Sequence, residues 1–210
     1  EARLLQQYEM QICQHFNSSL FVSDDEAKAF RLLLPLQQHS RVYSVLNGVD
    51  TEYFSPEVPP ASAEKQLPPH YIVFTGAMDY WANVDAVCWF CQHVWPRLKQ
   101  QYPDLHFLIV GGNPGQDVKA LAQQPGVIIT GRVQDVRPYI SGARFAVAPM
   151  LIARGIQNKV LEAKALNKKI VASCMAMEGI NAPSSNWLAA SDEANEFASL
   201  CLQMLQQPQD

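Results

Sequence analysis

From residue 70 onward, short apolar runs alternate with stretches whose apolar residues recur at helical spacing. The runs at 71–75, 105–110, 127–130, 145–148 and 170–172 read as buried strands. Four of them stop at turn residues: Gly76, Gly111-Gly112, Gly131 and Pro149. After the first strand, Asn83 is placed to cap a long helix with an inward stripe of Val84, Val87, Cys88, Cys91, Val94, Trp95 and Leu98, kinked at Pro96. Shorter helices are predicted after Pro114, over 135–141 and over 157–167. A sixth strand is predicted at 187–189, and a last helix opens at Asp192. Strand and helix alternating at this spacing predict an α/β fold: a Rossmann-like parallel sheet with helices on both faces. Its strand C-termini share one edge, where ligands bind in such folds.

The first 54 residues carry a different pattern. A helix is predicted over 3–16, a short strand over 19–22, and a second helix to Leu33 opened by a Ser23/Glu26 capping box and stopped by Pro35. Residues 41–46 read as a strand and Asn47-Gly48 as a turn. Pro56, Pro59, Pro60, Pro68 and Pro69 mark 55–69 as a linker. The division expected is thus a remnant of one domain at 1–54, the linker, and a complete second domain at 70–210. Because the first residue is Glu and the chain opens within a helical pattern, the expectation is a piece of a longer protein.

Charge and composition narrow the function classes. A net charge of −4 with no basic block argues against nucleic-acid binding. Five cysteines at irregular spacing predict a reducing, cytoplasmic setting rather than a disulfide framework. Cys88 and Cys91 lie in an apolar helical pattern and read as packing; no second cysteine or histidine pair completes a zinc site. The five histidines are scattered, and Trp81 is expected to pack in its loop rather than stack on a ring. No stretch has the ~20 apolar residues of a membrane span, and the residues given are not expected to include a signal peptide.

The segment from Pro149 to Ala165 holds the densest chemistry. A strand ends, a loop carries Gly155, and a helix starts near Gln157. Unpaired amides at a helix start attract an anion, and a glycine lets a phosphate approach the backbone. Lys159 in the first turn adds a full charge, and Glu162 follows on the same face. Amides and cation on phosphate, with a carboxylate on ribose hydroxyls, suit a nucleoside diphosphate. The plainer alternative is a Lys159–Glu162 pair on a surface helix, with Arg132 and Arg154 as solvated loop arginines.

Lys159, Leu161, Glu162 and Ala163 after a glycine-bearing loop resemble the hallmark of the retaining glycosyltransferase family 4, which has the GT-B fold. Asn47-Gly48-Val49-Asp50 with Phe54 is similar to that family's interdomain stretch. Gly131-Arg132-Val133 with Asp135, Arg137 and Tyr139 is similar to another of its motifs. The loop from Gly76 to Trp81, with Asn83, is similar to a subgroup linked to bacterial exopolysaccharide and exosortase gene systems. The resemblance covers about residues 20–200 and implies the C-terminal half of a GT-B enzyme that transfers a sugar from a nucleotide-sugar donor.

The resemblance also implies roles. Glu162 matches the second Glu of the family's Glu-x7-Glu motif, the ribose ligand; the first Glu is Arg154 here. The usual Arg and Lys after the first strand are replaced by the Gly76-Ala77-Met78-Asp79 loop, so diphosphate charge falls to Arg132, Arg154 or Lys159. Arg154 and Lys159 are the implied catalytic cations; Gly76, Arg132, Val133, Gly155, Ile156 and Glu162 line the donor; no metal or cofactor is implied. The acceptor is expected to be a glycan or lipid-linked sugar. An upstream domain of the same chain is expected to hold it and to bring the enzyme to the inner membrane. Two other readings stay open: a nucleotide-sugar epimerase of the same fold, and a non-catalytic nucleotide-sugar-binding or scaffold domain.

Overall fold

The computed structural model describes residues 1–57, 66–153, 155–180 and 188–208. The chain divides into two compact units, Glu1–Gly48 and Val49–Asp210, so the division falls ahead of the proline-rich 55–69 stretch, of which 58–65 lie outside the described residues.

The first unit holds α1 (Ala2–His15), β1 (Ser19–Phe21), α2 (Asp24–Arg31) and β2 (Val42–Ser44). β1 and β2 pair in parallel, Ser19 opposite Val42 and Phe21 opposite Ser44. Ser23 caps α2 by accepting the Glu26 amide at 3.2 Å, and Asp24, Asp25 and Glu26 favour the positive end of the helix. A 3-10 turn, Leu36–Arg41, leads into β2, which takes the middle of the 41–46 segment read as a strand. Cys13, Ala27, Phe30, Leu34 and Val42 form this unit's small core.

The second unit is a six-stranded, all-parallel sheet. Its strands are β3 (Tyr71–Thr75), β4 (His106–Val110), β5 (Val127–Gly131), β6 (Ala146–Ala148), β7 (Ile170–Ala172) and β8 (Leu188–Ala190). Every residue of β3, β6 and β7 is buried, which is why these strands read as unbroken apolar runs rather than alternating ones. The order is β5-β4-β3-β6-β7-β8. The chain therefore builds outward from β3 in one direction, returns to β6 beside β3, and builds outward in the other. This doubly wound plan opens a crevice at the C-terminal edge between β3 and β6.

Six helices connect or cover the strands: α3 (Trp81–His93), α4 (Trp95–Gln101), α5 (Gln116–Leu121), α6 (Arg137–Ser141), α7 (Asn158–Ala165) and α8 (Ala194–Gln206). Two expectations are corrected here. Asn83 does not cap α3: Tyr80 is the cap residue, and Asn83 sits inside the first turn with its side chain buried. Pro96 does not kink one helix but starts another: the ladder stops at Val94, and proline is tolerated at the opening of α4 because no amide is needed there. Trp187, predicted to open the last strand, lies outside the described residues. Among the described residues, no helix is long and apolar enough to cross a membrane.

Candidate functional site

Five strand ends converge on the C-terminal edge, and their loops are tied together by backbone hydrogen bonds. The Gly76 amide donates to Val110 O at 3.0 Å, the Gly111 amide to Gly131 O at 3.2 Å, and the Met78 amide to Gly112 O at 2.8 Å. The loops after β3 and β4 touch so closely that a Cβ on Gly111 would sit 1.7 Å from Gly76 O. On the other side of the crevice, buried Ser173 after β7 donates to Met150 O at 2.7 Å and accepts the Ala176 amide at 3.1 Å. The edge is a pre-formed rim rather than a set of independent loops.

Lys159, in the first turn of α7, reaches over the crevice between β3 and β6. Its Nζ donates to Asn83 Oδ1 at 3.0 Å and Gln157 Oε1 at 3.4 Å, lies 3.8 Å from Met150 Sδ, and stands 5.1 Å from the centre of the Phe74 ring. One side chain therefore contacts the last turn of β3, the first turn of α3 and the loop after β6. Burial pulls its amine down to about 8, opposed by the charge of Glu162. Glu162, one turn further along α7 and half-buried, has its carboxyl pushed up by the same desolvation, with Lys159 opposing. Both side chains are half-buried rather than fully solvated.

Gly155 precedes α7 in a left-handed conformation, φ +66, that a glycine adopts without penalty. Ile156 is buried beneath it, and α7 opens at Gln157 with no side-chain cap. Its first amides are thus available to an anion. Gly76 lies on the rim against Asn83, Arg132 is exposed next to Gly112, and Val133 packs on the sheet core. Arg154 lies outside the described residues. Gly179 has φ +74 in the loop after β7, on the same edge.

The Gly131-to-Tyr139 motif divides between two tasks. Gly131 and Arg132 face the rim, whereas Asp135 and Arg137 clasp the start of the unit. Arg137 pairs with Asp135 at 2.7 Å, donates to Tyr53 O at 3.0 Å and stacks 3.9 Å from the Tyr53 ring centre. The Arg137 hydrogen bonds hold the Asp135 carboxyl below its usual range. Tyr139 is buried. Of the cysteine pair, Cys91 is fully buried, which pushes its thiol up to about 12, whereas Cys88 is half-buried and lines a groove beside α3. Trp81, by contrast, is not packed in its loop. It opens α3 with 57% exposure, on a groove of about 600 Å³ also lined by Asp79, Asp85, Asn113 and Asp117.

Sequence reasoning missed Asn83 as a site residue. The signal was present: a polar side chain next to the inward apolar stripe of α3, one position before Val84. A cap would be exposed, and Asn83 is 5% exposed.

This topology defines a Rossmann-like domain with the α/β fold found in GT-B glycosyltransferases. The family model for glycosyl transferases group 1 matches residues 69–207, and the chain belongs to that family. Solved structures agree on the fold. TarM superposes with a TM-score of 0.70 at 14% identity, over 94% of this chain and 38% of that one. Anabaena Alr3699/HepE in complex with UDP and glucose gives 0.70 at 13%, over 96% and 57%. A glycosyltransferase from Rickettsia africae ESF-5 gives 0.68 at 16%, over 95% and 56%. The chain thus spans between about two fifths and three fifths of the length of these neighbours. No curated protein matches it significantly.

Proposed function

We propose that this chain is the donor-binding half of a retaining, metal-independent glycosyltransferase that moves a sugar from a nucleotide diphosphate to a glycan or lipid-linked acceptor. The observation that carries this reading is the half-buried Lys159 amine held over the β3–β6 crevice, with Glu162 one turn along the same helix. The diphosphate sits against Lys159, the uncapped first turn of α7 and Gly155, with Arg132 adding charge from the rim and Arg154 given the same task by the resemblance alone. Glu162 accepts the ribose hydroxyls. Gly76, Val133 and Ile156 shape the walls.

In the reaction, the bond from the sugar's anomeric carbon to the diphosphate breaks, and the leaving group takes the electron pair. Lys159 and the α7 amides stabilise that growing charge from fixed positions, which is worth more in a desolvated cleft than in water. The acceptor oxygen bonds to the same carbon from the same face, and its proton leaves with the departing diphosphate. No protein nucleophile is required. Family membership supports the reaction class, and the UDP complexes of HepE and of S. aureus TarM support a nucleotide-diphosphate donor. Bacterial exopolysaccharide synthesis is the setting we propose, with hexose as the sugar class. In this proposal the acceptor is held by a separate domain of the kind that the longer neighbours have room for, and this chain alone turns nothing over.

Calorimetric titration with UDP, GDP and ADP, each with and without excess chelator, tests the reading. Binding of one nucleotide, unchanged by chelator, supports it and names the base. Binding only with a divalent cation overturns metal independence. No binding by any of the three puts the scaffold reading ahead.

A further inference from the structure

Three features on this edge share one residue. Asn83 is buried, and both ends of its amide are used: Nδ2 donates to Ala77 O at 2.9 Å, and Oδ1 accepts from Lys159 Nζ at 3.0 Å. The amide orientation follows from its partners. Turned over, it would set an NH2 against an ammonium and an oxygen against a carbonyl, and both contacts would repel. Gly76 makes room for it, because a Cβ there would lie 2.7 Å from Asn83 Nδ2.

Resting on the donor-site reading above, we propose that Asn83 is a positioning residue: it holds the Lys159 ammonium over the crevice in the place where a nucleoside diphosphate meets it. A lysine side chain has four rotatable bonds and no fixed geometry of its own. Around this Nζ the other contacts are weaker, a 3.4 Å glutamine oxygen, a thioether and a ring face. The Ala77 carbonyl locks the asparagine, and the asparagine fixes the lysine. The holder is also neutral. A carboxylate in its place would fix the amine as firmly but spend its charge locally, leaving less for an incoming diphosphate. The loop that lacks its family's usual Arg and Lys thus still serves the diphosphate, by aiming a cation that comes from α7.

The test compares wild type, Lys159→Ala, Asn83→Ala, Asn83→Asp and the double alanine variant, with whichever of UDP, GDP or ADP binds. Asn83→Ala is expected to weaken binding roughly tenfold, the scale of one hydrogen bond to a charged group. In the Lys159→Ala background the same change is expected to cost almost nothing. Asn83→Asp is expected to weaken binding as well, although it can hold the amine. A nucleotide-free readout keeps the result independent of folding losses: the ¹³C shift of the Lys159 Cε followed against pH. Glu162 is the charged group that already acts on this amine. The Lys159 midpoint is expected to rise in Asn83→Asp, which adds a negative charge, and to fall in Asn83→Ala, which removes an acceptor. Additive binding losses, or a Lys159 midpoint that moves in neither variant, overturn the inference. Wild-type nucleotide affinity in Lys159→Ala instead overturns the donor-site reading, and the inference falls with it.

Discussion

Lys159 carries a positive charge at a position that costs stability, and the direction of that cost is measurable. In the unfolded chain a lysine keeps its proton up to about 10.5; in the folded protein burial lowers this one to about 8. Between those values the unfolded state binds more protons, so stability rises with pH through that window and the gain is lost as pH falls through about 8. Lys159→Met is expected to raise the Tm at neutral pH and to flatten this rise, read by thermal unfolding against pH. The same residue governs binding. Nucleotide affinity is expected to be highest below about pH 8 and to fall above it by up to about tenfold per pH unit as the ammonium is lost. Lys159→Ala is expected to cost about 1–3 kcal/mol of nucleotide diphosphate affinity by calorimetry. Glu162→Ala is expected to weaken nucleoside diphosphates while leaving inorganic diphosphate unchanged; equal losses for both would remove the ribose role. Lys159 and Glu162 were legible because a charged pair in an otherwise apolar helix start is conspicuous in a sequence. Asn83 was not, because its partners are 6 and 76 positions away.

The rim is built by elements whose glycines differ in kind. Gly111→Ala would drive a Cβ against the Gly76 carbonyl, backbone against backbone with nothing able to rotate away. It is expected to destabilise the second unit by about 1–3 kcal/mol or more in a denaturant titration. At Gly131 a Cβ would meet open space, so Gly131→Ala should cost only the left-handed backbone, φ +74, about 1–2 kcal/mol. Strands were legible to within a residue or two: a parallel strand buried on both faces is an apolar run cut off by glycine, as in β3 before Gly76 and β4 before Gly111. Helix starts were less so. Asn83 looked like a cap, but the chain entered helix earlier, at Trp81, without any capping side chain. The strand order could not be read at all. Alternation dictates that the sheet is parallel, whereas the return of β6 to the side of β3 is a long-range choice written in no local pattern.

At the scale of the whole molecule, the family match and all the proposed donor ligands fall within Val49–Asp210. The Tyr53–Arg137–Asp135 clasp seals the start of that unit, and the fragment 49–210 is expected to fold without residues 1–48. It is expected to unfold cooperatively and to bind the nucleotide within about twofold of the full chain, a difference below about 0.4 kcal/mol. A larger loss would place a donor ligand in residues 1–48. That first unit has two three-residue strands and a five-residue buried core, too little to be stable by itself. The position of the division at Gly48, rather than in the prolines that follow, was masked in the sequence because proline-rich composition is only a proxy for where few contacts cross.

The lowered amine of Lys159 also makes it a chemical address. At pH 8 about half of these amines are free base, against roughly one in three hundred for an ordinary lysine. An aldehyde or activated ester offered sparingly at that pH therefore favours this amine over an ordinary exposed lysine. An aldehyde bearing a phosphate would be drawn to the same anion-binding helix start and would settle there as an imine that borohydride makes permanent. The residue proposed to release the donor's diphosphate is thereby also the one through which the pocket can be tagged, occupied and counted by mass.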